Sequence, residues 1–361
     1  MKLQGKELCT RFFKEAALPI LNQYFPDLSY TVGFTGYGSD VLGYDDEVSQ
    51  DHMWGPRFHL FLKEQDMGRS QEVMECFSEH LPKTFCGYSV NFSEPDPEDN
   101  GIRHACEGDS QKVSPLIFIN TLDGFLTDYL GCCDFSQLSY AQWLAFSENR
   151  LLILKKSVFW KDDLGLAERI KALQYYPEKV WEYLIASNWE LISQEQAFVK
   201  RCGSRGDDIG SRICCTRIAE RLMRLCFLYC KEYAPYSKWF GTAFQQLPVW
   251  DSIKQAIANA VAASDLLERE HQIALAQKLV CDFQDSLHIA PPVNAKIQSY
   301  FGRDIQVIFC DRVCALWSQR LKGSELEGLP LIGNFSGVGN FVCLYEEPGE
   351  QKRMIRFYKE D

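Results

Sequence analysis

The feature that most constrains the fold is an abrupt change of hydrophobic pattern about a third of the way along the chain. Before it, four short runs rich in β-branched and aromatic residues are bounded by turn residues, at 30–34, 58–62, 88–92 and 116–119. From about residue 139 onward, apolar residues recur almost throughout at helical spacing. The sequence therefore predicts an α+β fold: a small mixed β-sheet with flanking helices, followed by a mainly α-helical domain.

The same change of pattern sets the predicted domain boundaries. We place the first domain at residues 1–134 and the helical domain at residues 135–329. The first domain begins with an apolar helical pattern that stops at Pro26, and Pro19 should kink this helix or split it. The remaining segment, 330–361, contains the runs FVCLYEE and KRMIRFYK on either side of Pro348 and Gly349. We predict that this segment is a C-terminal β-hairpin.

Charge and composition exclude several classes of protein. The net charge of −11 removes the broad basic face on which binding to nucleic acid usually depends. No apolar run is long enough for a membrane helix, and residues 1–13 carry charges where a signal peptide would be apolar. The 15 cysteines contain no Cys-x-x-Cys pair, which favours reduced core thiols. We predict a cytoplasmic protein that binds neither nucleic acid nor membrane.

The segment from Gly33 to Leu62 has the most unusual composition, with five glycines and a run of acids. A β-like run there ends in a Gly-x-Gly-Ser turn at residues 36–39, whose backbone N–H groups and Ser39 hydroxyl can point to one anion. Asp51 lies twelve residues further on, where a carboxylate can hold the Mg²⁺ that bridges phosphates. The alternative is an ordinary tight turn in which glycine supplies positive φ.

These residues carry a resemblance. A strand, Gly-Ser, a spacer and an Asp opening a second strand resemble the signature of the polymerase-β-like nucleotidyltransferase superfamily. With GDDIGSR at 206–212, RLMRLCFL at 221–228 and YAPYSKWFGTAF at 233–244, the chain resembles a bacterial family of uncharacterised proteins. Members of that family join a nucleotidyltransferase-like N-terminal half to a helical domain of unknown function. The resemblance extends over residues 30–250.

The resemblance implies roles for the residues of the turn. Gly38 and Ser39 would hold the terminal phosphates of a nucleoside triphosphate, and Asp51 would be the first carboxylate that binds the metal. The superfamily places a second acid two residues later, where this chain has Met53. Asp46, or its neighbours at 45 and 47, could fold back to supply another Mg²⁺ ligand.

Further candidates come from the residues themselves, each with a structural alternative. Arg57 could clamp a phosphate or pair with a nearby Asp. In the helical half, Tyr236, Lys238 and Trp239 follow a helix-breaking Pro and could bind a nucleotide, or form an aromatic corner between helices. Asp208 could be a catalytic base that deprotonates an acceptor hydroxyl, or, with Asp207, belong to a helix start. The arginines at 217, 221 and 224 could line a cleft or pair with surface acids.

We therefore expect a nucleotidyltransferase that moves a nucleoside monophosphate from ATP or another NTP to a hydroxyl of a small-molecule acceptor, assisted by Mg²⁺. The NTP would sit between the sheet and the helical domain. One alternative is a catalytically reduced regulatory module of the same fold, which binds nucleotide without the acid missing at Met53. A third interpretation, a hydrolase that uses Asp51 and His52, has no nucleophile and base paired by spacing.

Overall fold

A computed structural model describes residues 3–46, 48–50, 53–107, 111–338 and 348–358. The chain forms two compact units, one of residues 1–137 with 150–174 and the other of residues 138–149 with 175–361. The fold is mixed α+β, as predicted, and the first crossing between units lies close to the predicted boundary at 134. The return of residues 150–174 to the first unit was not predicted.

The first unit is built on a four-stranded sheet in the order β5-β2-β1-β6. Its strands are β1 (Tyr30–Phe34), β2 (Arg57–Leu62), β5 (Leu116–Thr121) and β6 (Val158–Asp162). Strand β1 is antiparallel to β2 and β6, and β2 is parallel to β5. A separate hairpin consists of β3 (Thr84–Phe85) and β4 (Tyr88–Ser89), so the strand predicted at 88–92 is only two residues long.

Strand β6 corrects the prediction that the chain is almost wholly helical after residue 139. Its sequence VFWKD is short and follows a helix directly. A run of this length cannot be distinguished from part of a helix by periodicity alone. Pairing with the free edge of β1 satisfies the backbone groups on one side of β6, so the tertiary context decides its conformation.

The helices of the first half of the chain are mostly short. In chain order they are α1 (Gly5–Phe12), α2 (Leu18–Tyr24), α3 (Ser39–Leu42), α4 (Ser70–His80), α5 (Leu122–Leu130), α6 (Tyr140–Ala145), α7 (Glu148–Lys156) and α8 (Leu166–Arg169). A π-helical turn, Phe13–Ala17, joins α1 to α2, and Pro19 lies in the first turn of α2. The first helix is therefore interrupted by the π-helical turn that precedes Pro19, and the chain stays helical at the proline itself. The 3₁₀ turns are Glu64–Arg69, Pro97–Asp99 and Ile170–Gln174.

One face of the sheet is buried against helices and the other carries polar side chains. Phe58, Leu60 and Leu62 of β2 belong to the main core, which also contains Phe12 of α1 and Phe77 of α4. Successive side chains of a strand point to opposite faces. Arg57, His59 and Phe61 therefore project from the other face of β2, which places a buried arginine and a buried histidine next to the Gly-Ser turn.

The second unit is mainly helical. Its remaining helices are α9 (Glu178–Glu195), α10 (Phe198–Gly203), α11 (Asp208–Tyr229), α12 (Ser237–Gln246), α13 (Asp251–Ala262), α14 (Leu266–Ser286), α15 (Cys310–Arg320), α16 (Phe335–Val338) and α17 (Pro348–Phe357). A small hairpin of β7 (Gln298–Tyr300) and β8 (Arg303–Val307) follows α14. Long helices α9, α11 and α14 are joined by buried hydrogen bonds: Trp189 Nε1 donates to Tyr229 Oη at 2.9 Å, and Tyr229 Oη donates to Gln284 at 2.8 Å.

The predicted C-terminal β-hairpin is wrong for its second half. The run KRMIRFYK lies mostly in α17, which starts at Pro348 where the hairpin turn was expected. Glu350 and Arg353 form an ion pair at helical spacing, and Tyr358 Oη donates to the Gly333 carbonyl at 3.1 Å. The spacing of the apolar residues in KRMIRFYK is compatible with a strand and with a helix, and packing in the second unit selects the helix. The run at 341–347, predicted as the first strand, lies outside the described residues.

Two expectations from composition can be compared with the described residues. Every cysteine that lies within them is a free thiol, and several are fully buried, as expected of reduced core residues. No helix in the described part of the chain is long and apolar enough to cross a bilayer. A cytoplasmic location stays a prediction.

Candidate functional site

The predicted turn lies at the end of β1 and leads directly into α3. Gly36 and Gly38 have φ values of +94° and +102°, which side chains rarely allow. A Cβ atom on Gly36 would come within 2.6 Å of His59 Nε2, and one on Gly38 would collide with the Asp40 carboxylate and the Arg57 guanidinium. Both glycines are therefore required by conformation and by close packing, independently of any ligand.

Arg57 is held by Asp40 beneath the turn. The two side chains form a bidentate ion pair, with Nη1 to Oδ2 at 2.5 Å and Nη2 to Oδ1 at 2.7 Å, and both are almost fully buried. Nη2 also donates to the Tyr37 carbonyl at 2.9 Å. Burial lowers the pKa of Arg57 but the Asp40 carboxylate outweighs it and raises the pKa above its ordinary value. Of the two predicted roles for Arg57, the structure shows the ion pair; a nucleotide-binding role has no support in this geometry.

Ser39 and Asp46 are brought together by the loop that follows α3. The Tyr44 N–H donates to the Ser39 carbonyl at 2.9 Å, which turns the chain back. Asp46 Oδ1 accepts from the N–H groups of Val48 and Ser49, and the Ser39 hydroxyl donates to the Ser49 carbonyl at 3.5 Å. The Ser39 hydroxyl and the Asp46 carboxylate, which were predicted to share one site, are thus both hydrogen-bonded to the backbone of Ser49.

The described residues do not assemble a Mg²⁺ site by themselves. Asp46 Oδ1 is occupied by backbone donors, and Asp45 Oδ2 accepts from Gly5 N–H at 2.6 Å and from Trp54 Nε1 at 3.3 Å. Within the part of the chain that the structure describes, no three His, Cys, Asp or Glu side chains are grouped as metal ligands. Asp51 and His52 lie outside the described residues, so the metal site predicted at Asp51 with Asp46 stays a prediction.

Strand β2 confirms the run predicted at 58–62, with one more residue at its start. Strand β2 starts at Arg57, so Met53 lies in the preceding loop, with φ +60°. The resemblance implies a second strand that opens before position 53, whereas Met53 is not in β2. Position 53 carries no acid, and because it lies in a loop, the geometry of a strand does not fix the direction of its side chain.

Two buried polar side chains beside the turn were not predicted. Both ring nitrogens of His59 and the hydroxyl of Tyr37 are buried and have no hydrogen-bond partner among the described residues. His59 stacks on Phe118 with ring centroids 4.8 Å apart. Burial, with a smaller effect of the Arg57 charge, lowers the pKa of His59 to about 3. The alternation of Arg57 and His59 along the strand was the sequence signal for this cluster.

In the second unit, the aromatic block begins in the connection between α11 and α12. Helix α11 ends at Tyr229 and α12 begins at Ser237, which confirms the predicted helix break around Pro235. Tyr236 precedes α12, and its N–H donates to Asn149 Oδ1 at 3.4 Å. Trp239 is buried, whereas Lys238 is exposed with its ammonium 5.1 Å from the Trp239 ring centre. Trp239 is a packing residue here, and Tyr236 and Lys238 remain accessible to a ligand.

Tyr236 borders a pocket of about 420 Å³ that lies wholly in the second unit. This volume is within the usual range of small-molecule sites. Glu148, at the start of α7, reaches the pocket and is almost fully buried. Burial raises the pKa of Glu148, while the nearby Arg224 charge opposes the rise. Glu148 was not singled out from the sequence, because an acid at a helix start is ordinary.

The predicted arginine stripe of α11 is mostly paired. Arg217 binds Glu195 at 2.6 Å, and Arg224 binds Glu220 at 3.0 Å and Glu148 at 3.4 Å. Arg224 is thus placed at the pocket by two carboxylates. The pairing of Arg224 with Glu220 is the alternative that the sequence analysis gave for this stripe. The contact of Arg224 with Glu148 could not be predicted from the sequence, because it depends on the tertiary structure.

Asp207 and Asp208 stand at the start of α11. The Asp207 carboxylate accepts from Gly210 N–H at 2.8 Å, which makes it the helix N-cap. Asp208 pairs with Arg212 and Arg269, each at 2.7 Å, and these hydrogen bonds lower the pKa of its carboxyl group. A lower pKa weakens a general base. The geometry therefore favours the structural role for both residues, and a catalytic role for Asp208 has no support in it.

A family model described as a domain of unknown function, DUF4037, matches residues 143–240. Among solved structures, a nucleotidyltransferase-like protein from Exiguobacterium sibiricum is similar to the chain, with 11% identity over 76% of this chain and 75% of that one, and a TM-score of 0.33. A search of the curated proteins found no match.

Proposed function

We propose that the protein is a nucleotidyltransferase that transfers a nucleoside monophosphate from an NTP, with ATP as the first candidate, to a hydroxyl of a small-molecule acceptor. The observation that carries the proposal is the turn at the end of β1. Two glycines with positive φ lead there into Ser39, and the following loop brings Asp46 within two hydrogen bonds of the Ser39 hydroxyl.

The turn is accessible at its second glycine. Gly38 and Ser39 are each partly exposed, so a phosphate can approach the turn at these two residues. The Arg57–Asp40 pair supports the turn from below and fixes its shape. In this proposal Gly38 and Ser39 bind the phosphates, and Arg57 positions the turn without touching the nucleotide.

The proposal includes a Mg²⁺ ion that Asp51 and Asp46 would hold. When bound, Mg²⁺ would neutralise phosphate charge, which is the main demand of this type of transfer. It commonly takes only one or two carboxylates when it arrives with a triphosphate. The proposed roles of Tyr236 and Lys238 concern accessible residues of the second unit, and they need a separate test.

The test is calorimetric titration of the full chain with ATP and Mg²⁺. We expect Asp51→Asn to abolish metal-dependent binding, while Asp128→Asn, an exposed aspartate on α5, leaves it unchanged. Ser39→Ala should weaken binding about fivefold, the value of one hydrogen bond of ~1 kcal/mol. Lys238→Ala should weaken triphosphate binding, and an unaltered dissociation constant would assign that lysine to the surface. Nucleotide binding unaffected by Asp51→Asn and Ser39→Ala would refute the assigned site.

A second candidate is a regulatory module that binds nucleotide without transferring it. Met53 at the position of the usual second acid, in a loop with φ +60°, favours this candidate. Pyrophosphate release in the presence of candidate acceptors separates the two. Binding of ATP with no pyrophosphate from any acceptor hydroxyl would favour the module.

A further inference from the structure

The pocket in the second unit has apolar walls and a charged end. Met223, Ala234, Pro235 and Phe240 supply apolar surface, and the Arg224 guanidinium lies 5.1 Å from the Phe240 ring centre. The residues that line it all lie within the DUF4037 match except Gly241 and Ser336. A concave apolar site with a few convergent polar groups is the usual form of a small-molecule site.

The charged end carries two carboxylates and one guanidinium. Glu148 and Glu220 are the acidic lining residues and Arg224 is the basic one. Three donors of Arg224 are engaged: Nε binds Glu220 at 3.1 Å, Nη1 binds Glu148 at 3.4 Å and Nη2 reaches the Ser336 carbonyl at 3.4 Å.

Glu220 retains a free acceptor at the pocket. Its Oε1 binds Arg224, and its Oε2 accepts no hydrogen bond from any residue that the structure describes. The Glu220 side chain is 28% exposed, so a ligand can reach it. A positively charged donor would satisfy this oxygen.

We propose that this pocket binds a small organic monocation, a primary amine carried on a flat apolar or aromatic skeleton. The amine donates to Glu220, and the skeleton packs between Phe240 and the wall formed by Met223 and Pro235. The inference does not rest on the proposed function, because Glu220, Met223, Pro235 and Phe240 have no role in the proposed nucleotide site.

Gly241 offers a way to block the pocket without disturbing the fold. It lies inside α12 and lines the pocket, and a Cβ atom added there meets nothing within 4 Å. Gly241→Leu should therefore extend into the pocket. Gly241→Ala is the matched control, because it adds one methyl group and should stabilise the helix by about 1 kcal/mol.

The probes are phenethylamine and its near-isosteres 2-phenylethanol and phenylacetate, titrated by calorimetry or ligand-observed NMR. We expect the amine to bind at least about tenfold more tightly than the alcohol or the acid. Gly241→Leu should abolish this binding and Gly241→Ala should preserve it. Glu220→Gln should weaken it about tenfold, with unchanged thermal unfolding as the check that the variant is folded.

Three outcomes would overturn the proposal. One is binding of phenylacetate as tight as that of the amine, which would make the pocket an anion site. Another is amine binding that survives Gly241→Leu, which would place the ligand elsewhere. The third is no binding of the amine at millimolar concentration. ATP titration of Gly241→Leu separates this result from the nucleotide proposal, because the turn at Gly38 is unchanged in that variant.

Discussion

Replacing Arg57 with methionine tests whether this arginine supports the turn or binds nucleotide. The side chains of Arg57 and Asp40 are 2% and 1% exposed, so the substitution would leave the Asp40 carboxylate buried without its partner. Breaking one side of such a pair costs about 3–5 kcal/mol. For a domain of this size, 1 kcal/mol shifts the melting temperature by roughly 2–4 °C. We therefore expect the first unit to melt about 6–20 °C lower.

A double substitution isolates the charge from the packing. Asp40→Asn combined with Arg57→Met removes both charges and keeps an acceptor for the Val41 N–H, which Asp40 Oδ1 binds at 3.0 Å. Since removing both partners avoids an uncompensated charge, the double variant should recover more than half of the lost stability. Lys171→Met is the surface control: its pair with Glu168 is exposed and should change stability by less than about 0.5 kcal/mol.

Calorimetry gives the melting temperatures, and hydrogen exchange by mass spectrometry reports the two units separately. Peptides from β1 and β2 should lose protection in Arg57→Met, whereas peptides from α9 and α11 should keep theirs. A loss below about 1 kcal/mol, or a double variant as unstable as the single one, would refute the reasoning about the buried pair. If the stabilised double variant also binds ATP normally, Arg57 has no direct role in nucleotide binding.

Three more predictions concern single residues. Gly38→Ala should cost about 1–3 kcal/mol, because alanine is strained at φ +102° and its methyl group meets the Asp40–Arg57 pair; Gly43→Ala, at φ +80° in open space, should cost less in the same thermal unfolding assay. Burial lowers the pKa of His59 to about 3. Between about pH 6.5 and pH 3, His59 is therefore protonated in the unfolded chain and neutral in the folded chain. Its contribution to stability is complete above pH 6.5 and falls with pH. The free energy of unfolding of His59→Leu should therefore rise relative to that of the wild type by about 2 kcal/mol when the pH falls from 8 to 5. The same difference between variant and wild type at both pH values would contradict this. Glu182→Gln should cost about 1–3 kcal/mol in urea unfolding, because Glu182 is fully buried and binds Arg320 at 2.6 Å; an unchanged midpoint would rule out that contribution.

Local patterns in the sequence predicted much of the fold. The β-branched run at 30–34 coincides with β1, and the helix break at Pro235 falls between α11 and α12. These features depend on residues close in sequence, such as the missing N–H and fixed φ of proline. Strand β6 and helix α17 were assigned wrongly, because short apolar runs suit either element until a partner is present.

The candidate site was predicted in its components but not in its connections. The glycine turn at 36–39 was visible from composition and spacing. The choice between a phosphate and an Asp as the partner of Arg57 was not, because Asp40 is buried against Arg57 only when α3 folds under the turn. His59 was missed because its alternation with Arg57 shows that the two side chains share a face of the strand, but not that this face is buried.

The sequence by itself determined the α+β class, the glycine turn with its positive φ values and the aromatic connection near Tyr236, since each follows from local backbone chemistry and periodicity. The tertiary structure decided which charges are paired and where a pocket opens. Glu148 and Arg224 are 76 residues apart, yet they meet at the pocket in the second unit. Contacts of that kind depend on how helices pack, and packing is set by the whole core.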